Sequence, residues 1–135
     1  KIALAFGIGE ASAEEVDKLN VLRATHFAAK RALTQITANL EINGLVTDYL
    51  KLTFSRPVVA VAKGDSRSLQ IAAASILAKT TRDALMVQYA EMYPQYGFEH
   101  HKGYGSPVHL AALGKHGLCA IHRRSYKPVA QASLF

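Results

Sequence analysis

Two aspartates occupy positions where a carboxylate is unusual, and together they could hold a divalent cation. Asp83 follows Lys79 by four residues in IAAASILAKTTRD, on the flank of a stretch whose small apolar residues are typical of a packed helix. Asp48 interrupts the apolar run LVTDYL, and an aspartate buried in a strand needs a partner or a metal. If both side chains reach one point, their oxygens suit a hard cation such as Mg²⁺. A surface Lys79–Asp83 ion pair and a strand-ending turn at Asp48 are the alternatives.

A segment rich in glycine, histidine and tyrosine could contact a ligand. It reads HHKGYGSPVH over residues 100–109 and contains Lys102 and Tyr104. Glycines beside an aromatic residue let a backbone approach a ligand while the ring offers a stacking surface. A helix starting at Pro107 would present free N–H groups to a phosphate. A plain turn is the alternative. The histidines and Cys119 do not follow the spacing of a zinc finger, so zinc is not expected.

The charge of the chain favours a polyanionic partner. Among its 135 residues, 16 lysines and arginines outnumber 10 aspartates and glutamates, which gives a formal net charge of +6. An excess of this size is typical of nucleic-acid-binding proteins, although many basic proteins bind no polyanion. The tail IHRRSYKPV carries Arg123, Arg124 and Lys127, which either face nucleic acid or form a solvated end.

The cysteine count and the hydropathy pattern indicate a cytoplasmic protein. Cys119 is the single cysteine, which excludes an internal disulfide and is typical of a reducing compartment. No apolar run approaches the roughly 20 residues needed to span a bilayer. The first residues, KIALAFGIGEAS, lead directly into a helix signal and are predicted to form a strand rather than a signal peptide. Since the chain starts within this element and without Met, we expect it to be a fragment.

Alternating strand and helix patterns predict an α/β fold. Ser12 and Glu15 form a capping box that starts the first helix, Pro94 ends a long helix, and Ser106 caps the last one. The predicted elements are a strand at 2–9, a helix at 13–35 with a possible break at Asn20, strands at 45–53 and 58–62, a helix at 66–92, a loop at 95–105, and a helix at 107–115 closed by Gly117. The tail from residue 121 is predicted to be irregular.

Four successive segments resemble the signatures of bacterial ribonuclease HII. They read, in order, IGEASAEEVDKLNVLRAT, KGDSRSLQIAAASILAKTTRD, YPQYGFEHHKGYGSPVHLAAL and IHRRSYKPV. The resemblance extends over nearly the whole chain. It implies a ribonuclease H-like fold, in which helices flank a mixed sheet of five strands. Residues 1–135 would form a single partial domain with a C-terminal helical and loop region at about 94–135.

The resemblance also implies an activity and a set of residues that perform it. The family hydrolyses the RNA strand of RNA–DNA hybrids and cuts at ribonucleotides embedded in duplex DNA, using Mg²⁺ or Mn²⁺. Asp48 in LVTDY matches its strand-ending aspartate, and Asp83 in AKTTRD matches its helical aspartate. Asp48 would bind metal directly, and Asp83 would place a second ion. Tyr104 matches the tyrosine that packs on the sugar at the RNA–DNA junction. The implied phosphate-facing cations are Lys63, Lys102, Arg123 and Arg124.

The sequence departs from the family pattern in two places. Tyr49 stands where the family usually has glycine after the strand aspartate. The Asp-Glu-Ala-Gly-Arg-Gly motif, which supplies two further carboxylates and reads the 2′-hydroxyl, does not occur. Roughly the first third of the family's chain, including its first two strands, is therefore expected to be absent here.

The absent motif leads to expectations about this chain alone. We expect it to bind Mg²⁺ poorly, to be unable to cleave, and to be marginally stable; the complete protein is expected to be a monomer. Two aspartates retained at the family's positions favour the C-terminal part of an enzyme. Tyr49 and the missing Asp-Glu pair favour the alternative, a non-catalytic nucleic-acid-binding relative or an inactive fragment.

Overall fold

The computed structural model describes residues 3–132. Their elements, in chain order, are α1 (Ala13–Thr37), β1 (Leu45–Asp48), β2 (Val58–Val61), a 3-10 turn (Gly64–Ser66), α2 (Leu69–Met92), a second 3-10 turn (Pro94–Tyr96), α3 (Phe98–His101), α4 (Pro107–His116) and α5 (Lys127–Ala132). They form two compact units. The first unit comprises residues up to 11 and residues 21–78, and the second comprises residues 12–20 and the chain from 79 onward.

The first unit contains a parallel pair of strands with few buried side chains. Strands β1 and β2 run parallel, with Leu45 opposite Val58 and Asp48 opposite Val61. Parallel strands are normally covered on both faces, yet Val46 and Val59 are 53% and 56% exposed. The buried residues described in this unit are Ala24, Gly64 and Ile71. The α/β class is thus observed in a helix-rich form, and the five-stranded family sheet stays a prediction.

The predicted strand at 2–9 is wrong for its described residues, 3–9, which form no strand. Their backbone bonds to side chains of α1 instead of to another strand: the N–H of Ile8 donates to Gln35 Oε1 at 3.1 Å, and its carbonyl accepts from Gln35 Nε2 at 2.6 Å. Gly9 lies so close to α1 that a Cβ there would be 1.9 Å from the Ala28 carbonyl oxygen. Residue 2 lies outside the described residues.

Helix α1 begins at the capping box and is interrupted where the sequence predicts. Ser12 Oγ accepts from the Glu15 N–H at 3.1 Å, and the Glu15 carboxylate accepts from the Ser12 N–H at 2.8 Å. Asn20 has φ 64° and ψ 166°, which is not helical. The predicted break at this residue is therefore confirmed.

The second unit has a hydrophobic core of five buried residues, which are Ala90, Tyr96, Phe98, Leu113 and Val129. The rings of Tyr96 and Phe98 stack with centroids 5.3 Å apart. Helix α4 is capped as predicted, because Ser106 Oγ accepts from the His109 N–H at 3.3 Å and Gly117 closes the helix with φ 72°.

Two predictions for the second unit are wrong in part. The predicted loop at 95–105 contains the short helix α3, and the predicted irregular tail contains α5. Both helices bury an apolar residue in the core, Phe98 from α3 and Val129 from α5. Packing of this kind stabilises short helices whose own sequence signal is weak. Within residues 3–132, none of the helices combines the length and the apolarity needed to span a bilayer.

Candidate functional site

Asp48 lies at the end of β1 and is held by a main-chain donor. Its Oδ1 accepts from the Gly64 N–H at 2.8 Å. Gly64 is buried, and a Cβ at this position would lie 3.3 Å from Asp48 Cα and 2.6 Å from Ile71 Cδ1. The absence of a side chain at Gly64 therefore lets the backbone approach the carboxylate closely. The Asp48 side chain is exposed, so it can meet a ligand from solvent.

Strands β1 and β2 each lead into a residue with a left-handed backbone. Tyr49 has φ 60° and Lys63 has φ 52°, a conformation that non-glycine residues rarely adopt. The predicted strand at 45–53 ends early, at Asp48, because Tyr49 leaves the extended conformation. Lys63 is exposed and directly precedes Gly64. The first unit therefore brings Asp48 together with the backbone at Lys63–Gly64.

Asp83 has one carboxylate oxygen in an ion pair and one without a hydrogen bond. Its Oδ2 lies 3.0 Å from Lys79 Nζ, so the predicted surface pair forms. Its Oδ1 is buried and has no hydrogen-bond partner among the described residues, and Arg82 Nη1 lies 4.0 Å away. A buried oxygen of this kind is costly unless something binds it. Oδ1 is thus suited to accept a hydrogen bond or to coordinate a cation.

Arg82 connects the Asp83 turn of α2 to the Tyr104 loop, which comprises residues 102–106. Its Nη2 donates to the Lys102 carbonyl at 2.7 Å. Its guanidinium carbon lies 5.1 Å from the centre of the Tyr104 ring, a cation–π distance. The Tyr104 side chain is nevertheless 62% exposed. The ammonium group of Lys102 donates to the Glu99 carbonyl of the same chain.

Arg123 and Arg124 lie between α4 and α5, in a loop held by Asp17. Asp17 Oδ2 accepts from the Arg124 N–H at 2.8 Å, and Oδ1 accepts from the Ser125 N–H at 2.9 Å and from its hydroxyl at 2.5 Å. The Arg123 guanidinium lies 4.9 Å from the Tyr126 ring centre. Asp17 thus fixes the backbone of the basic segment that the sequence predicts to face phosphates.

The predicted site residues fall into two groups. Asp83, Lys102 and Tyr104 are linked through Arg82 in the second unit, which also contains the loop with Arg123 and Arg124. Asp48 and Lys63 belong to the first unit. The convergence of Asp48 and Asp83 stays a prediction. Among residues 3–132, no group of three or more histidine, cysteine, aspartate or glutamate side chains is arranged to hold a metal ion.

Sequence comparison decides the family. The model of the family Ribonuclease HII matches residues 3–129. This chain belongs to the ribonuclease HII family. Ribonuclease HII of Thermus thermophilus is 49% identical over 134 residues, covering 99% of this chain and 65% of the relative. Ribonuclease HII of a Marinomonas species is 47% identical over 129 residues, covering 94% of this chain and 64% of the relative. Ribonuclease HII of Chlamydia abortus is 48% identical over 128 residues, covering 93% of this chain and 58% of the relative. The chain therefore spans less than two thirds of the length of each of these relatives.

The family assignment gives meaning to the backbone at Tyr49. In this ribonuclease HII chain the residue stands where the family motif usually has glycine, and its φ of 60° is one that glycine adopts freely. Tyrosine here adopts a left-handed conformation that costs an L-residue about 1–2 kcal/mol.

Each of the two aspartates offers carboxylate oxygens that suit Mg²⁺ or Mn²⁺. Carboxylate oxygens are the donors that these hard cations prefer. The buried Oδ1 of Asp83, which has no hydrogen bond, is a donor of this kind. Asp48 has one oxygen bound to the Gly64 N–H, which orients its carboxylate.

Three residues near the site were not predicted from the sequence. Arg82 had a detectable signal, because it directly precedes Asp83 in AKTTRD. Gly64 also had one, since it follows Lys63 at the end of a predicted strand. Asp17 had none, because its partners Arg124 and Ser125 are more than 100 residues away in the sequence.

Proposed function

We propose that this chain supplies part of the active site of a ribonuclease HII. The enzyme hydrolyses the RNA strand of RNA–DNA hybrids and cuts at ribonucleotides embedded in duplex DNA. The observation that carries the proposal is the buried Asp83 oxygen without a hydrogen bond, next to the Arg82 that contacts the Tyr104 loop. A carboxylate oxygen that lacks a hydrogen bond and an exposed aromatic ring on one connected segment suit metal-assisted cleavage beside a sugar.

The nucleic acid is held by an exposed ring and by basic side chains. Tyr104 stacks on the sugar at the RNA–DNA junction, with Arg82 over its ring. Phosphate charge is offset by Lys63, Lys102, Arg123 and Arg124. Lys102 releases its contact with the Glu99 carbonyl when it does so. Because phosphate contacts displace counterions, the affinity falls as salt rises.

Asp48 and Asp83 would hold Mg²⁺ or Mn²⁺, which when bound supplies Lewis-acid stabilisation of the phosphodiester and a more acidic water. The chain's own groups orient these ligands. The Gly64 N–H fixes Asp48, and Lys79 occupies the Oδ2 of Asp83 and leaves Oδ1 for a cation. Lys79 also reduces the repulsion between Asp83 and the phosphates of the substrate.

The remaining ligands come from a segment outside this sequence. By family resemblance, the Asp-Glu-Ala-Gly-Arg-Gly segment supplies two carboxylates and the contact to the 2′-hydroxyl. We therefore propose that this chain alone binds Mg²⁺ weakly and does not cleave. The complete protein would be a cytoplasmic monomer.

A non-catalytic nucleic-acid-binding relative is the second candidate. It is favoured by the lack, among the described residues, of any three metal-ligating side chains in one place. The exposed Tyr104 ring and the basic loop at Arg123–Arg124 would suffice for binding. In such a protein Asp48 and Asp83 would be dispensable, which makes the two candidates separable by experiment.

Reconstitution tests the proposal. The chain is incubated with Mn²⁺ and a duplex carrying one ribonucleotide, with or without a polypeptide that contains the Asp-Glu-Ala-Gly-Arg-Gly segment. We expect cleavage at the ribonucleotide only with that polypeptide, and its loss in Asp48→Asn and in Asp83→Asn. Asp65→Asn is the matched control, because Asp65 is an exposed carboxylate that accepts from the Ser66 N–H.

The outcomes distinguish the candidates. Cleavage that survives Asp83→Asn would contradict the role given to the buried oxygen. Binding of the duplex without cleavage, equal in both aspartate variants and in the control, would favour the non-catalytic relative.

A further inference from the structure

Two histidines that the proposed reaction does not use lie in the core of the second unit. His109 is 1% exposed and His122 is 7% exposed, and their Nε2 atoms are 3.2 Å apart. The ring of His101 stacks on that of His109 with centroids 4.4 Å apart. Phe98 packs against both rings of the pair. Because polar atoms this deeply buried need hydrogen-bond partners, the partners indicate how each ring is protonated.

The backbone groups bonded to the Nδ1 atoms of the two rings determine the direction of each hydrogen bond in the pair. His109 Nδ1 is 2.9 Å from the Tyr104 carbonyl, which can only accept, so this nitrogen carries a proton. The Cys119 N–H donates to His122 Nδ1 at 2.9 Å, so that nitrogen carries none. The shared bond therefore runs from the Nε2–H of His122 to the unprotonated Nε2 of His109. Both rings are neutral and they are opposite tautomers.

The hydrogen bond from His109 and two others end on the backbone of the Tyr104 loop. His101 Nδ1 accepts from the Gly103 N–H at 3.2 Å, and Arg82 donates to the Lys102 carbonyl at 2.7 Å. Together with the bond to the Tyr104 carbonyl, they hold the loop backbone at three successive residues. The Tyr104 ring itself stays exposed. A loop whose backbone is held in this way loses little freedom on binding, which favours affinity.

We propose that His109 and His122 are positioning residues for nucleic acid: as neutral rings they hold the Tyr104 backbone so that its ring faces a sugar. Protonation of either ring breaks a hydrogen bond that keeps the pair in place, and it thereby displaces His109 together with the Tyr104 carbonyl to which its Nδ1–H is bonded. This inference rests on the stacking role proposed for Tyr104. It predicts that binding of a ribonucleotide-containing duplex weakens as the solution becomes acidic, for a reason separate from the metal site.

Protonation of either ring replaces an acceptor with a donor. A proton on His109 Nε2 would face the N–H of His122 across 3.2 Å, and a proton on His122 Nδ1 would face the N–H of Cys119. The titratable neighbours are His101, the Cys119 thiol at 3.1 Å from His122 Nδ1, and the Tyr96 phenol, whose ring centroid is 4.9 Å from that of His122. Burial raises the pKa of the thiol and of the phenol, so both stay neutral. A protonated His101 would repel a protonated His109, on which its ring stacks.

The direction of the pKa shifts agrees with this geometry. Burial lowers the pKa of both histidines below the ordinary 6.5, and the proximity of His109 lowers that of His122 further. The hydrogen bonds to the Tyr104 carbonyl and to the Cys119 backbone act in the opposite direction on the pKa of His109 and of His122, and burial outweighs them. Between the lowered folded values and 6.5, the unfolded chain binds more protons than the folded chain. The held state is therefore fully stabilised above pH 6.5 and loses stability as the pH falls through the folded values.

Nuclear magnetic resonance of the full 135-residue chain tests the tautomers directly. With ¹⁵N-labelled histidine at about pH 8, we expect a protonated Nδ1 in His109 and a protonated Nε2 in His122. As the pH falls below 6.5, both signals should change together with the backbone amides of Tyr104 and Gly105. In parallel, affinity for a duplex with one ribonucleotide, measured without metal, should fall on the order of tenfold, the size of one lost aromatic stack.

Variants separate positioning from general stability. His109→Asn keeps a donor for the Tyr104 carbonyl but does not titrate, so its affinity should depend less on pH. Tyr104→Ala should bind weakly and lose most of the pH dependence. His100→Gln, which removes an exposed histidine that pairs with Glu99, should follow the wild-type profile.

The measurements distinguish a positioning role of the two histidines from a contribution to general stability alone. A wild-type pH profile in His109→Asn, or Tyr104 and Gly105 amides that do not titrate with the histidines, would overturn the inference. So would loss of helical circular dichroism over the same pH range in which binding falls. If the duplex does not bind at any pH, the proposed function fails, while the Tyr104 amide titration still decides whether the histidines hold the loop.

Discussion

At the scale of single residues, Tyr49 carries a backbone cost that its side chain does not offset. Its φ is 60° and its ring is 80% exposed. A left-handed conformation costs an L-residue about 1–2 kcal/mol, whereas glycine adopts it freely but loses more chain entropy on folding, by about 0.5–1 kcal/mol. We expect Tyr49→Gly to raise the free energy of unfolding by about 0.5–1 kcal/mol, measured from the urea midpoint.

Tyr49→Ala is the matched control for that substitution. It removes the same exposed ring but keeps a Cβ, so the backbone cost stays and no gain is expected. Equal stabilisation by alanine and by glycine would show that the exposed ring, and not the backbone, is unfavourable.

At the scale of elements, the first segment depends on glycine to reach helix α1. A Cβ on Gly9 would lie 1.9 Å from the Ala28 carbonyl oxygen and 2.7 Å from the Ala32 nitrogen. Both are backbone atoms that cannot rotate away. Gly9→Ala should therefore displace the segment from α1 and weaken the hydrogen bonds between Ile8 and Gln35. We expect a loss of about 1–3 kcal/mol in the free energy of unfolding.

Gly114→Ala provides the comparison. Gly114 lies inside α4, and a Cβ there would meet no atom within 4 Å. Alanine should stabilise this helix by about 0.5–1 kcal/mol because glycine is a poor helix former. If both substitutions destabilise equally, the close approach at Gly9 is not what limits that position.

The basic loop between α4 and α5 depends on a carboxylate of α1. Burial alone would raise the pKa of Asp17, but hydrogen bonds from Ser125 and Arg124 and the charge of Arg123 lower it below the ordinary 3.8. The stabilisation is therefore present above pH 3.8 and is lost as the pH falls through the lowered folded value. Asp17→Asn should cost about 1 kcal/mol at neutral pH, after allowance for solvent screening.

The pH dependence of that cost identifies its origin. The difference in unfolding free energy between wild type and Asp17→Asn should shrink in acid, where Asp17 is protonated in both the folded and the unfolded chain. Glu14→Gln, which removes an exposed carboxylate paired with Lys18 on the same helix, should change stability little. A pH-independent cost would indicate that the shape of the side chain matters and not its charge.

At the scale of the whole molecule, the sequence correctly predicted the features that depend on residues close together in the chain, such as the helix caps. The cap of α1 closes between Ser12 and Glu15, and the cap of α4 between Ser106 and His109, each within three residues. The contacts that overturned predictions are long-range: Ile8 bonds to Gln35, 27 residues away, and Val129 joins a core that starts at Ala90. Local periodicity carries no information about such pairings.

The residues of the candidate site also divide into those that a local motif predicts and those that depend on long-range contacts. Asp48, Asp83 and Tyr104 came from family motifs that are contiguous in sequence. Asp17 lies 107 residues from Arg124 and carries no motif of its own. The small apolar residues of IAAASILA in α2 are typical of a packed helix, yet Ile76 is exposed. Its surroundings in the described structure therefore differ from those that its composition predicts.

The unequal burial of apolar side chains makes a last prediction about stability. The second unit has five buried hydrophobic residues in one cluster, whereas Ala24 and Ile71 are the buried apolar side chains described in the first unit. Leu4, Phe6 and Ile76 of the first unit are exposed. Since buried apolar area contributes about 25 cal/mol per Å², we expect the first unit to open at a much lower free energy than the second.

Hydrogen exchange of the intact chain measures this difference element by element. Amides of β1 and β2 should exchange quickly, and those of α4 should be protected most strongly, because Leu113 anchors that helix in the core. Adding the polypeptide with the Asp-Glu-Ala-Gly-Arg-Gly segment should slow exchange in β1 and β2 if it completes the first unit, and leave α4 nearly unchanged. Equal protection of β2 and α4 in the chain alone, with one sharp thermal transition, would contradict the expected marginal stability. It would show that two short parallel strands with exposed valines are stable without further cover.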